Sequence, residues 1–307
     1  MRDKRIDKAV QESASFSALA YQFNQKDIGA SYLLSSTDKM LSKILLDNLL
    51  CKFYCNEQVE DFPCLKCTQC QKILDRNNID VQYFGVSDQN IKKDEIRELL
   101  TNAITKPFEG NHKFLIIENG EKMSELVQNL LLKTLEDLPN FVTIIILTNS
   151  SVKILPTIRS RCQSYSIIPL QKRDVIKLIG SSSRSLDIAR VADGQLEKAL
   201  KYNEKKKFDN YYKFALNLLN SFASSADLVE FEFVLQDNKD DVKMIIEIVQ
   251  SVFYLGMIGS IQTLVKKRKL AKVVRLCNSC INELEMGVLF NIVIDKLLIN
   301  ILKIKRE

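Results

Sequence analysis

The sequence predicts an α/β domain built on a parallel sheet, followed by a region made only of helices. Residues 114–117 (Phe-Leu-Ile-Ile) and 142–147 (Val-Thr-Ile-Ile-Ile-Leu) are short apolar runs, and the second is rich in β-branched residues, as in strands buried on both faces of a parallel sheet. Between them, Ser124 is placed to cap a helix whose Leu126, Val127, Leu130, Leu131 and Leu135 form an apolar stripe, and Pro139 stops it. The three segments read as one β-α-β unit. From Leu170 onward the strand signal stops and helical periodicity takes over.

Composition narrows the class. With 307 residues, 46% hydrophobic and 27% charged, the chain is expected to fold as two or three soluble domains. It has no run of about 18 apolar residues for a membrane span, and the first residues, Met-Arg-Asp-Lys-Arg-Ile-Asp, lack the apolar core of a signal peptide. A cytoplasmic protein without membrane contact is expected. A net charge of +6 is compatible with nearby nucleic acid without requiring it. Eight cysteines in a reducing compartment point to metal or buried thiols rather than disulfides. The only histidine, His112, precedes a strand and is expected at the surface; chemistry that needs paired histidines is excluded.

Residues 1–27 read as a polar, helix-capable lead-in with Phe16, Leu19, Ala20 and Phe23 on one face. A strand at 31–34 then leads through a polar turn to a helix over about 40–54. A phosphate-binding loop would sit there, and such a loop needs glycines, a lysine and a hydroxyl at fixed offsets. The turn, residues 35–43, reads Ser-Ser-Thr-Asp-Lys-Met-Leu-Ser-Lys. It has no glycine to wrap a triphosphate, and Asp38 would repel one, so these residues predict an ordinary strand-to-helix turn.

Next, Cys55, Cys64, Cys67 and Cys70 follow the spacing C-x8-C-x2-C-x2-C. Four thiolates with two C-x2-C steps can close a tetrahedral zinc site around a loop too small to fold on its own apolar surface. With every position filled by sulfur, that zinc would be structural. Cys51, one helical turn earlier, reads as a packed helix residue. A strand at 81–84, a helix over about 93–105 carrying Ile96, Leu99, Leu100 and Ile104, and a strand at 165–168 complete the domain. The sequence thus divides into an α/β domain, 1–168, with a zinc module near 51–75; a small helical domain, 169–205, broken near 180–183 and 193–194; and a helical domain, 206–307. After the fourth strand, residues 155–162 read as a short polar connection ending in Arg159 and Arg161, and arginine there suggests phosphate.

Taken in order, the strand-turn-helix, the four-cysteine insertion, the run 129–137 (Asn-Leu-Leu-Leu-Lys-Thr-Leu-Glu-Asp) and Ser160, Arg161, Cys162 resemble bacterial DNA polymerase III clamp-loader subunits, relatives of gamma/tau in the AAA+ family. The resemblance covers most of residues 25–205; residues 206–307 match only in being helical, as that family's C-terminal collar is. It implies a P-loop-like AAA+ sheet domain with a zinc module, a small helical lid and an all-helical collar. Within the family, the residues favour the delta-prime type. The ATP-hydrolysing motor would carry glycines at Ser36 and Leu41, lysine at Ser42 and a hydroxyl at Lys43. Its Walker B strand would end in Asp-Glu, where this chain has Glu118 and Asn119, and an amide cannot act as a base. A sensor arginine would fall at Glu197, which has the wrong charge.

What the resemblance implies is a subunit with no intact ATPase site of its own, expected to bind structural zinc but not ATP. It would join gamma/tau and delta subunits in a hetero-oligomeric ring that loads the sliding clamp on primed DNA, and Arg161 would be an arginine finger supplied in trans. An ATP-hydrolysing gamma/tau-like subunit and a zinc-stapled DNA-binding protein are the alternatives. Cys277 and Cys280 share one face of a helix over 273–286 and read as core. Lys266, Lys267, Arg268 and Lys269, with Lys272 and Arg275, read as a solvated helix end.

Overall fold

The computed structural model describes residues 3–23, 28, 31–87, 89–222 and 225–306. The chain forms two compact units, Met1–Leu178 with Gly194–Lys198, and Ile179–Asp193 with Ala199–Glu307.

The first unit opens with helices α1 (Lys4–Gln11) and α2 (Ala14–Ala20), the latter capped by Ser13, whose hydroxyl accepts from Phe16 N at 3.2 Å. Phe16, Leu19, Ala20 and Phe23 are buried, as expected for one apolar face; the rest of the lead-in at 1–2 and 24–27 lies outside the described residues. There follow β1 (Ser31–Ser35), α3 (Lys39–Tyr54), α4 (Thr68–Leu74), β2 (Val81–Phe84), α5 (Lys93–Ala103), β3 (Lys113–Ile117), α6 (Glu125–Glu136), β4 (Val142–Thr148), the one-turn α7 (Pro156–Arg159), β5 (Gln163–Ser166) and α8 (Lys172–Ile179).

The five strands make one parallel sheet in the order β2-β3-β4-β1-β5. Strand alternation sorts its core into two layers. Leu33, Leu115, Ile117, Ile144 and Ile146 pack with Ile96, Leu99, Leu131 and Leu135 in one cluster. On the other face Phe114 lies 5.0 Å from Phe53 and 6.0 Å from Phe23, which in turn lies 5.4 Å from Tyr32. Each such side chain, fully buried, contributes about 1.5–3 kcal/mol.

The structure corrects four expectations. Leu126 is 80% exposed, because the core side of α6 is taken by Val127, Leu131 and Leu135, four residues apart. The buried Gln128 replaces it in importance: its amide donates to Met123 O and Lys153 O, and its oxygen accepts from Leu155 N, which pins the chain entering α7. The stretch 155–162 is therefore a helical turn starting at Pro156 rather than a polar connection. β5 lies two residues earlier than expected, with Gln163 opposite Tyr32, and leaves Ile168 61% exposed. An edge strand needs no continuous apolar run, so hydrophobicity was a poor guide there.

His112 is the fourth correction, being buried rather than at the surface. Its Nε2 lies 2.8 Å from Thr143 Oγ1, and its ring packs 5.0 Å from Phe114 and 5.5 Å from Phe53. Burial pushes its pKa down to about 4.

In the second unit, α9 (Ser183–Ala192) and the end of α10 (Leu196–Glu204) pack with α11 (Phe208–Ser221), α12 (Ser225–Asp237), α13 (Val242–Met257), α14 (Lys267–Glu285) and α15 (Phe290–Arg306). Tyr202 ties α10 to α13, its hydroxyl donating to Glu247 Oε2 at 3.0 Å, and Arg184 Nη2 donates to Lys205 O at 2.7 Å. α10 runs through Glu204, close to the boundary at 205–206 expected from sequence. Cys277 and Cys280 are fully buried as core residues, with Cys280 Sγ 4.0 Å from Val293 O. Among the described residues, no helix is long and apolar enough to cross a membrane.

The buried histidine makes stability depend on pH. Its folded-state pKa is depressed, so the unfolded chain takes up a proton first as pH falls, and the contribution of the neutral ring is lost between about pH 6.5 and about 4. Urea unfolding should show wild type losing about 1–2 kcal/mol more than His112→Gln between pH 7 and pH 5; parallel curves for the two proteins would place the acid sensitivity elsewhere.

Candidate functional site

The turn from β1 into α3 brings together most of the residues singled out for nucleotide chemistry. α3 presents unpaired N–H groups at its first turn, a natural seat for an anion. The anion there is Asp38, which is 2% exposed. Its carboxylate accepts from Leu41 N at 2.9 Å, and also from Leu196 N and from Glu197 N (3.3 Å) at the start of α10. One side chain thus caps two helices. Burial pushes its pKa up, and the bonds from the Leu41, Glu197 and Leu196 amides oppose that shift. Ser36 completes the turn, its hydroxyl donating to Asp38 O and accepting from Asp38 N.

Around this cap the other charges pair among themselves. Lys39 Nζ donates to Asn119 Oδ1 at 2.8 Å and lies 3.6 Å from Glu121 Oε1. Lys43 pairs with Glu118 at 2.7 Å, and Arg76 takes the other oxygen of Glu118 at 2.6 Å while its guanidinium lies 4.2 Å above the Tyr83 ring. Glu121 also accepts from Thr148 Oγ1 and Asn149 N, which joins the end of β4 to this group. Asn119 is held in a left-handed conformation (φ 54°), its amide donating to Gly85 O at 2.9 Å. Gly120 beside it must be glycine, since a Cβ there would lie 2.6 Å from Ile146 Cγ2. Ser36, Lys39, Ser42, Lys43, Glu118, Asn119 and Glu121 line a cavity of about 10 Å³, room for about one water.

Of the expected positions, Ser36, Ser42, Lys43, Glu118 and Asn119 line this cradle, Leu41 is buried in the core, and Glu197 offers only its backbone N–H. Lys39, Arg76 and Glu121 are members that sequence reasoning missed. Lys39 stood in the same turn and was legible as a cation facing the strand ends; Arg76 and Glu121 are brought in by the fold alone.

Arg161 is elsewhere. Its backbone O accepts from Ser31 Oγ at 2.7 Å, at the start of β1, whereas the cradle lies past the end of that strand. Five residues of strand separate the two by about 16 Å. Its guanidinium bonds Glu136 through Nε (2.8 Å) and Nη2, and Thr157 O through Nη1 (2.9 Å). Ser160 ends α7, and Cys162 is buried beneath it.

The four cysteines of the insertion do converge: the Sγ atoms of Cys55, Cys64, Cys67 and Cys70 all lie within 4.8 Å of one another. Four sulfurs at about 2.3 Å from a tetrahedral zinc would be about 3.8 Å apart, so the set fits that ion with modest contraction. Cys64 N points at Cys55 Sγ (3.4 Å) and Cys67 N at Cys64 Sγ (3.3 Å), contacts that stabilise thiolates. Leu65, inside the first C-x2-C step, holds a left-handed backbone (φ 55°) that a leucine adopts at a cost of about 1–2 kcal/mol. Cys51 is buried with its Sγ 3.7 Å from Cys70 O, outside the four-thiol group.

This fold is that of AAA+ modules: a structure of a DNA polymerase III gamma subunit-related protein from Thermotoga maritima superposes with a TM-score of 0.52 at 17% identity, covering 94% of this chain and 98% of the other. Residues 11–171 match the family described as "DNA polymerase III, delta subunit", and the chain belongs to that family of clamp-loader subunits. It is 27% identical over 248 residues to DNA polymerase III subunit gamma of Buchnera aphidicola subsp. Schizaphis graminum, covering 79% of this chain and 62% of that one. It is 31% identical over 159 residues to DNA polymerase III subunit delta' of Bacillus subtilis, 51% of this chain and 48% of that one. The chain thus spans less than two thirds of the length of these relatives.

Zinc at the four thiols should copurify at one ion per chain, measured by elemental analysis under reducing conditions. Cys67→Ser should lose it and raise hydrogen exchange across residues 55–70 while the sheet keeps its protection, because the sheet core is built from other residues. Metal-free native protein would remove the zinc assignment.

Proposed function

We propose that this chain is a delta-prime-like subunit of the DNA polymerase III clamp loader, one that takes part in clamp loading without hydrolysing ATP itself. The observation that carries this is the filled cradle. The helix end that would hold a phosphate already holds the Asp38 carboxylate, the lysines at Lys39 and Lys43 are paired with Glu121 and Glu118, and about 10 Å³ remains free. A triphosphate would have to displace a buried carboxylate and enter a group of charges that already balance, with no glycine nest to receive it.

In this reading residues 169–205 act as the lid and 206–307 as the collar that joins gamma/tau and delta subunits in an open ring. The ring places the sliding clamp on primed DNA, and zinc stabilises the insertion without taking part in chemistry. Arg161 serves a neighbour: it stands at the opposite end of β1 from its own cradle, too far to act there, and one third of its side chain is open to solvent.

Two measurements test the proposal. Calorimetric titration of the pure chain with ATP·Mg²⁺ should give no saturable heat up to about millimolar nucleotide, the weak-binding range; a micromolar dissociation constant abolished by substitutions in residues 36–43 would instead mark an ATP-hydrolysing gamma/tau-like subunit. In a complex reconstituted with gamma/tau and delta, Arg161→Ala should assemble normally on gel filtration yet hydrolyse ATP more slowly. A trans finger contributes about 10³ to 10⁵ at its own site, and in a ring with several sites the bulk rate falls only partly. Unchanged hydrolysis in the assembled mutant would reduce Arg161 to a surface residue.

A further inference from the structure

The two sequence stretches that carry the family resemblance, 129–137 and 160–162, meet through one ion pair. Arg161 Nε donates to Glu136 Oε1 at 2.8 Å and Nη2 pairs with the same oxygen. Nη1 donates to Thr157 O at 2.9 Å and makes a long 3.5 Å approach to Ser160 Oγ. The backbone beneath is held as firmly: Ser31 Oγ donates to Arg161 O, Arg161 N and Cys162 N both donate to Ile158 O, and Ile158 and the Cys162 side chain are buried. Three elements therefore converge on one arginine: β1 and α7 hold its backbone, and α6 through Glu136 and α7 through Thr157 O hold its guanidinium.

The chemistry of that grip is one-sided. A guanidinium has five N–H groups, and a carboxylate on the Nε side leaves N–H groups on the terminal nitrogens to fork a phosphate. Fold stability does not explain the pair, since the side chains of Glu136 and Arg161 are 48% and 34% exposed, and ion pairs so open to water add little to stability. What such a pair can do is hold a long, rotamer-rich side chain in one direction before its target arrives, so that less freedom is lost on reaching it.

Resting on the finger reading above, we infer that Glu136 is the positioning residue of Arg161, aiming its terminal nitrogens at the phosphate held by a neighbouring subunit. The Glu136 carboxylate touches no nucleotide in this arrangement and acts only through the arginine.

The test is a double-mutant cycle in the reconstituted complex, with kcat and KM for DNA-stimulated ATP hydrolysis measured for wild type, Glu136→Ala, Glu136→Gln, Arg161→Ala and the Glu136→Ala/Arg161→Ala pair. Glu136→Ala should lower kcat by part of the loss seen with Arg161→Ala and leave KM nearly unchanged, because the finger acts on charge developing in the transition state. Glu136→Gln keeps the Oε1 acceptor and should retain most of the rate. The double variant should be no slower than Arg161→Ala alone, and melting midpoints of the free chains should agree. Should Glu136→Ala fail to fold, Glu136→Lys at the same exposed helix end removes the carboxylate and repels the guanidinium, and should lower kcat at least as far. A Glu136→Ala complex as fast as wild type or faster, or a double variant slower than Arg161→Ala, overturns the inference while the finger stands; Arg161→Ala without effect overturns both.

Discussion

The N-terminus of α3 has to be satisfied, and the way it is satisfied governs the first unit. A helix that begins at the end of a buried strand presents up to four unpaired N–H groups away from bulk water. In a nucleotide-binding protein a phosphate could answer them. Here Asp38 does, from within the chain, and the same carboxylate reaches the first amides of α10. An N-cap carboxylate is worth about 1 kcal/mol at one helix; serving two, it also fixes where α10 starts relative to β1. Once that anion is built in, Lys39 and Lys43 have no ligand to neutralise and turn to Glu121 and Glu118 instead.

The same strand organises the other end. β1 runs between β4 and β5, with the cradle past its last residue and Ser31 at its first, bonded to the backbone of Arg161. A parallel sheet gives the two ends of its strands different chemistry, since helix N-termini gather at the carboxyl ends. The fold therefore keeps the cation of Arg161 away from the carboxylate-filled cradle and beside Glu136. The four-cysteine loop between α3 and α4 is independent of both. It has few apolar residues, and Leu65 within it holds a left-handed backbone beside the four converging thiols.

Much of this was legible from the chain alone. Runs of β-branched and aliphatic residues mark β3 and β4 because strands buried on both faces cannot afford polar residues. Ser124 announces the start of α6, since its hydroxyl accepts a first-turn amide. The missing glycines at residues 35–43 and the C-x8-C-x2-C-x2-C spacing were readable because such sites depend on residue type at fixed local offsets. Less legible were residues whose role depends on a distant partner. His112 looked like a surface residue until Thr143 and two aromatic rings enclosed it, Leu126 looked like core until α6 took its rotation, and the polar β5 was placed two residues late because the apolar residues lie beyond it.

What the sequence by itself determined was which residue types stand at fixed local offsets and which local structures they can form: no glycine at residues 35–43, an amide at Asn119, four thiols at metal spacing, and alternating strands and helices followed by helices alone. Only the tertiary structure decided what stands in the cradle instead and what each charge faces. The residues that answer one another there, Asp38 with Leu196, Arg76 with Glu118 and Arg161 with Glu136, are 158, 42 and 25 positions apart. Local periodicity carries no information over such separations, because the pairing is set by strand order and helix rotation, and those follow from burying the whole apolar core at once.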